Sequence, residues 1–296
     1  MDVIYRYDPF APIVPREIPD SESAIDRLLQ GNQRFADMVH AIQQRTLGEG
    51  TGEPMVLPLC PVSLGLPLFQ GAVLNQAPFA LVLGCSDARV PTELVFDQWL
   101  NDLFVLRVAG NVLGTACLGS LHYAARHLGE SLKVVVVLGH SKCGAVQAAV
   151  ATYLSPRNFS DIAYTFALRT LIDQIQIAIR GSAHALRDVA GPSIAQVPDY
   201  ESLLVTTAVY VNAAVSALEL RRELDQRGFD QPVVTGVYEF ETLSVQALPG
   251  VPGPITEVGT RLRPGPSNPD ELSQYAKAVA EAALRARDSS PPSTGH

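Results

Sequence analysis

The stretch Val134-Val135-Val136-Val137-Leu138-Gly139-His140-Ser141-Lys142-Cys143 decides how this chain folds. A short, nearly continuous run of β-branched and apolar residues reads as a strand covered on both faces, as in a parallel sheet. The run ends directly on a histidine and a cysteine. A second run, Leu81-Val82-Leu83-Gly84, ends in the same way on Cys85-Ser86-Asp87-Ala88-Arg89. Roughly fifty residues separate the two polar segments, but parallel strands of one sheet would bring their carboxyl ends together.

Working outward, Phe79 to Leu83, Leu103 to Val108, Val134 to Leu138 and Val233 to Tyr238 form a series of such runs. Helices are expected between them. One begins at Pro91, a residue suited to a first turn; others cover Leu118 to Leu128 and Gly144 to Tyr153. A longer amphipathic helix carries Leu204, Ala208, Val211, Val215 and Leu218 and ends near Gly228. The alternation predicts an α/β fold with a central, mainly parallel β-sheet flanked by helices. Ile162 to Ile179 has helical spacing and reads as decoration between core elements.

At the start, Pro9, Pro12, Pro15 and Pro19 favour an extended arm. After Asp20-Ser21, residues Ile25, Leu28, Leu29, Asn32 and Phe35 fall at helical spacing. The apolar face of this N-terminal helical arm is expected to pack on a partner subunit. Leu47 to Leu68 reads as a long loop. Leu248 to Pro269 reads as a loop or a strap crossing between subunits, followed by a helix over Glu271 to Arg287 and a disordered tail from Ser289 to His296. The chain thus divides into an arm and helix (1–40), a loop-rich insertion (41–78), a zinc-binding α/β core (79–248) and a C-terminal strap, helix and tail (249–296). Together they make one domain, its core named for the ligand set of Cys85, His140 and Cys143.

Composition narrows the partners. The 296 residues are 47% hydrophobic and carry a net charge of -8, with a pI near 5.2. With no Lys/Arg run, nucleic acid and anionic membrane are poor partners. The opening Met1-Asp2-Val3-Ile4-Tyr5-Arg6 does not read as a secretory signal, and no stretch approaches the ~18 apolar residues of a membrane span. A cytoplasmic protein is expected. The four cysteines, Cys60, Cys85, Cys117 and Cys143, form no C-x-x-C pair. They read as two ligands, Cys85 and Cys143, and two packing residues, Cys60 and Cys117.

Cys85, His140 and Cys143 offer two thiolates and an imidazole to a tetrahedral zinc ion. Three protein ligands leave a fourth position for Asp87 or water, and open fourth positions mark catalytic sites. Arg89, two residues beyond Asp87, can clamp that carboxylate bidentately and draw it off the metal. The freed oxygen could then orient zinc-bound hydroxide, which is available near neutrality because zinc lowers the pKa of its water to around 7. Such a site is built to attack a small electrophile.

C-x-D-x-R followed by H-x-x-C resembles the signature of β-class carbonic anhydrases. The likeness extends over Leu28-Leu29-Gln30-Gly31-Asn32-Gln33-Arg34-Phe35, Asn75-Gln76-Ala77-Pro78, Asp102-Leu103-Phe104-Val105, Arg107-Val108-Ala109-Gly110-Asn111 and Gly236-Val237-Tyr238-Glu239. The resemblance implies one zinc per subunit on Cys85, His140 and Cys143, and reversible hydration of carbon dioxide to bicarbonate and a proton. It assigns Asp87 and Arg89 as the catalytic dyad and Gln76, Phe104 and Tyr123 to the substrate pocket. It implies a homodimer or a dimer-based oligomer. The pattern departs at Val108, where many members carry Asn, at Ala109, which reshapes the pocket wall, and at Glu239, where Asp is usual. Val82 stands where members with a closed state carry Trp, so an open form is expected, Asp87 acting as fourth ligand only in a closed state.

Two other readings use the same ligands: a carbon disulfide-type hydrolase, and a catalytically silent, zinc-stabilised binding or scaffold protein. His122, His127 and His184 read as helix-surface residues, one of which could shuttle protons. Lys142 reads as a solvated charge.

Overall fold

The apolar runs become strands of one sheet in the computed structural model, which describes residues 3–7, 18–48, 55–59, 70–71, 73–250 and 262–289. In chain order the elements are β1 (Val3–Tyr7), α1 (Ser21–Thr46), β2 (Met55–Leu59), β3 (Ala80–Gly84), α2 (Thr92–Val95), β4 (Leu103–Arg107), α3 (Thr115–Leu128) and β5 (Val134–His140). They continue as α4 (Gly144–Leu154), α5 (Phe159–Ile162), α6 (Phe166–Ala190), α7 (Tyr200–Asp225), β6 (Val233–Glu239), β7 (Ser244–Gln246), β8 (Arg263–Pro264) and α8 (Pro269–Ser289). The main sheet has the order β4-β3-β5-β6-β7, with β8 also paired to β6. β4, β3, β5 and β6 are parallel, and β7 and β8 run antiparallel to β6. The expected α/β architecture is present.

Alternation along the buried strands sorts the core. Val82, Val134, Val136 and Leu138 face one side, where Ala24, Leu28 and Leu29 of α1 cover them. Leu81, Leu83, Val135 and Val137 face the other, under Leu121 and Ala124 of α3 and Ala213, Ala217 and Leu220 of α7. Beyond α7 lies a third layer in which α4, α6 and α8 pack together. Because α7 has the sheet on one side and helices on the other, it is buried nearly all round and is not the amphipathic helix that its spacing suggests. It is also long and apolar enough to cross a membrane, against the expectation of no such stretch. However, 83% of its apolar window is buried inside the fold.

α1 starts where the sequence marks it, the Asp20 carboxylate accepting from the Ser23 N–H at 2.8 Å. Its buried apolar residues lie on the sheet of its own chain. Asn32, fully buried in that face, explains how a polar residue fits there. Its Nδ2 donates to the carbonyls of Val95 and Leu243 at 3.0 and 3.1 Å, and its Oδ1 accepts from the Val245 N–H at 2.9 Å.

Several expectations change. The 47–68 loop contains β2, which pairs in parallel with β1 over five residues; Pro58 within it obscures the strand pattern. The helix after Pro91 is a single turn, with Pro91 preceding its first residue. The 162–179 segment is no decoration: it divides into α5 and the longer α6, which buries Ile172, Ile175, Ile179 and Leu186 in the core. The strap contributes β8 at its far end. Cys60 and most of the expected tail lie outside the described residues.

Gly31 sits where α1 crosses the turn after α2, and a Cβ there would overlap the Phe96 carbonyl oxygen. Gly31→Ala is therefore expected to lower the unfolding free energy by about 1–3 kcal/mol through overpacking. The midpoint of urea denaturation measures the change.

Candidate metal centre

Cys85 is the first residue beyond β3, and His140 is the last residue of β5. The pairing of Gly84 with Leu138 brings these two ends together. The chain then reverses through Lys142, whose left-handed backbone (φ 54°) returns it so that Cys143 caps the start of α4. The three ligand atoms lie within 4.8 Å of one another, and all three residues are buried.

Three observations test whether a metal ion fits. First, the Cys85 and Cys143 Sγ atoms are 4.0 Å apart, against roughly 3.8 Å for two ~2.3 Å zinc–sulfur bonds at a tetrahedral angle. Second, His140 Nδ1 lies 2.9 Å from the Ser141 carbonyl oxygen; an N–H donated there leaves the Nε2 lone pair free, as ligand histidines require. Third, that Nε2 is buried and without a hydrogen-bond partner, a costly state unless something else meets it. The donor set fits zinc.

The thiols are already polarised. Cys85 is pushed toward the thiolate, chiefly because the Cys143 thiol bonds to it, with His140 and the backbone N–H groups of Asp87 and Gly110 assisting against burial. Cys143 is pushed up by the same shared proton and by burial. A metal binding here would displace that proton.

The surrounding turn is held from two sides. The Gly110 N–H donates to Cys85 Sγ at 3.3 Å from a left-handed position (φ 69°). Asn212 Nδ2 on α7 donates to the Gly110 carbonyl at 2.7 Å, and Ser216 Oγ to the Asn111 carbonyl at 2.9 Å. Arg107 braces the ligand loop, donating to the carbonyls of Cys85 at 3.0 Å and Asp87 at 2.6 Å. Asn212 and Ser216 escape a motif-based reading. Their only signal is that they are polar residues in the apolar middle of α7, Ala208 to Leu218.

Asp87 accepts two bonds from the Arg89 side chain, from Nε at 2.9 Å and from Nη2 at 2.7 Å, and a third from the Arg89 backbone N–H at 2.9 Å. The guanidinium holds the Asp87 carboxyl well below the usual carboxylate range. Asp87 Oδ2 is also 3.8 Å from His140 Nε2. The carboxylate therefore sits beside the ligand cluster with both oxygens engaged by Arg89.

The remaining candidates are more scattered. Gln76 is exposed ahead of β3, its flanking backbone tied to Asn101 by bonds of 2.8 and 2.9 Å. Ala109 belongs to the turn that supplies Gly110, and Phe104 on β4 packs against the α3 side of the core. Tyr123 is 51% exposed on α3; its ring lies 4.8 Å from that of His127. Among the described residues, neither Gln76 nor Tyr123 bonds to the ligand cluster. Cys117 is buried in the core. His122 pairs with Glu223 at 3.2 Å, and His184 with Asp188 at 3.6 Å. Lys142 is not merely solvated, because its ammonium meets Glu241 at 2.9 Å.

Loss of a bond that braces the ligand turn should be felt by the metal. Asn212→Ala is expected to weaken zinc affinity about tenfold, measured by competition with a chromophoric chelator. Cys85→Ser should abolish stoichiometric retention.

A family model described as carbonic anhydrase matches residues 80–220. Carbonic anhydrase 2 of Mycobacterium tuberculosis (strain CDC 1551 / Oshkosh) is 49% identical over 81 residues, covering 27% of this chain but only 38% of that protein's length. The carbonic anhydrase of Mycolicibacterium smegmatis is 36% identical over 164 residues, or 55% of this chain and 69% of that protein. Among solved structures, a Coccomyxa beta-carbonic anhydrase in complex with acetazolamide aligns with 24% identity and a TM-score of 0.43, over 74% of this chain and 83% of that one.

Proposed function

Because the chain belongs to the carbonic anhydrase family, we propose that it catalyses the reversible hydration of carbon dioxide at the Cys85-His140-Cys143 centre. Zinc, when bound, lowers the pKa of its water to about 7 and so supplies hydroxide near neutrality. Addition of hydroxide to the carbon converts one C=O bond of carbon dioxide to the C–O⁻ of bicarbonate, and renewing the hydroxide releases one proton to solvent.

The observation that carries this reading is the bidentate hold of Arg89 on Asp87. An ionised carboxylate only accepts hydrogen bonds, and Arg89 keeps Asp87 ionised at neutral pH. Beside the ligand cluster, Asp87 can take a hydrogen bond from the nucleophile and so aim its lone pair at the substrate carbon. A purely structural zinc site has no use for such a carboxylate. The same clamp supports the open form, since Asp87 would have to leave Arg89 to become a ligand.

An oligomer built from dimers goes with this reading. Val73 is 91% exposed, and Leu74, Trp99 and Leu100 are exposed close to the Asn75–Asn101 contact. These apolar residues beside Gln76 suit a subunit interface. A reducing, cytoplasmic setting suits the two free ligand thiols.

Stopped-flow measurement on zinc-loaded protein should show carbon dioxide hydration well above the buffer rate. Asp87→Ala should lower kcat about 100-fold with zinc content unchanged. Zinc-replete wild-type protein without activity at alkaline pH would refute the proposal.

A further inference from the structure

The aromatic residue that follows β6 touches the dyad and a metal ligand, yet no motif includes it. The Arg89 guanidinium carbon lies 4.4 Å from the centroid of the Phe240 ring. The same ring is 5.4 Å from that of His140, tilted by 49°, and meets Tyr238 edge-on at 5.6 Å. Phe240 is fixed where it stands. Its N–H donates to Ser141 Oγ at 3.0 Å, while the Ser141 N–H donates to the Tyr238 carbonyl at 3.0 Å. The neighbouring Glu241 carboxylate pairs with Lys142 at 2.9 Å. Two of these bonds tie the 240–241 turn, and the third ties the end of β6, to the 141–142 turn that joins His140 to Cys143.

We propose that Phe240 is a positioning residue, whose ring face holds the Arg89 guanidinium in the plane from which it clamps Asp87; this role rests on the hydration reading above. The bonds to Asp87 use the edge of the guanidinium, through Nε and Nη2. Nη2 also donates to the Lys142 carbonyl at 3.3 Å. Those bonds fix the edge, but a long side chain that is 56% exposed can still tip about its axis. An aromatic face stacked on the cation opposes the tipping through the ring quadrupole. An aliphatic side chain of similar bulk fills the space without that attraction. Arg89 thus has Asp87 and the Lys142 carbonyl at its edge and the Phe240 ring at its face.

The full-length, zinc-loaded protein tests this with Phe240→Tyr, which keeps the ring, and Phe240→Leu, which keeps only the bulk. Phe240→Tyr should hold the wild-type kcat, and Phe240→Leu should lose about two- to fivefold in kcat with KM and zinc content unchanged. The Arg89 Nε–H resonance supplies a readout independent of turnover. In wild type and Phe240→Tyr it should be shifted by the ring current and exchange slowly with solvent. In Phe240→Leu it should lose the shift and exchange faster. Phe240→Met replaces the leucine variant if that one does not fold. Unchanged kcat and Arg89 exchange in Phe240→Leu, or an equal loss in Phe240→Tyr, overturns the role. Inactive wild-type protein would count against the hydration reading alone, and Arg89 exchange would still decide the role of Phe240.

Discussion

The parallel pairing of β3 with β5, which sets Gly84 against Leu138, is the constraint on which the metal centre depends. One ligand stands a single residue beyond Gly84, and another two residues beyond Leu138. A slip of one residue would turn every side chain of a strand to the opposite face and carry its ligand away from the cluster. The slip is resisted because both strands are buried throughout, with α1 over one face and α3 and α7 over the other. The core therefore does more than stabilise the fold. By fixing the register, it places the Cys85 Sγ, the Cys143 Sγ and His140 Nε2 within a few ångströms of each other.

Where the strands end, backbone polar groups lose their ladder partners and must find others. Here the replacements come from Arg107, directed at carbonyls of the Cys85 loop, and from Asn212 and Ser216, directed at those of the 109–111 turn beside it. Each such bond contributes about 0.5–1.5 kcal/mol net, but removing one partner of a buried pair costs about 1–3 kcal/mol. The asymmetry makes the loops rigid. It also accounts for Asn212 and Ser216, polar residues buried in the middle of α7.

Legibility in the sequence follows the same physics. Runs such as Val134 to Leu138 announce fully covered strands, and ligands placed directly after them announce a site at the strand ends. α6 and α7 carry a weaker signal, because periodicity reports one covered face and both helices contact more than one neighbour. β7 and β8, three and two residues long, are too short to carry a pattern. Phe240 reaches Arg89 only through a pairing of turns 99 residues apart in sequence. Gln76 and Tyr123 are exposed, and among the described residues neither bonds to the cluster, so no packing signal marks them in the sequence.

The position of Asp87 bears on whether the centre works or rests. To enter the metal shell, its carboxylate would have to give up two guanidinium bonds and one from a backbone N–H. Protonation gives it no route in the neutral range. A carboxyl whose folded pKa is depressed contributes its full stability above its unfolded value, near 3.8, and loses it progressively as pH falls from there through the lower folded value. Between those limits and neutrality Asp87 stays charged and paired. What could release it is a change in Arg89, whose edge faces Asp87 and whose face rests on the Phe240 ring. The pairing of Asp87 with Arg89 thus depends less on the acidity of the carboxylate than on how firmly the guanidinium is held on both of its surfaces.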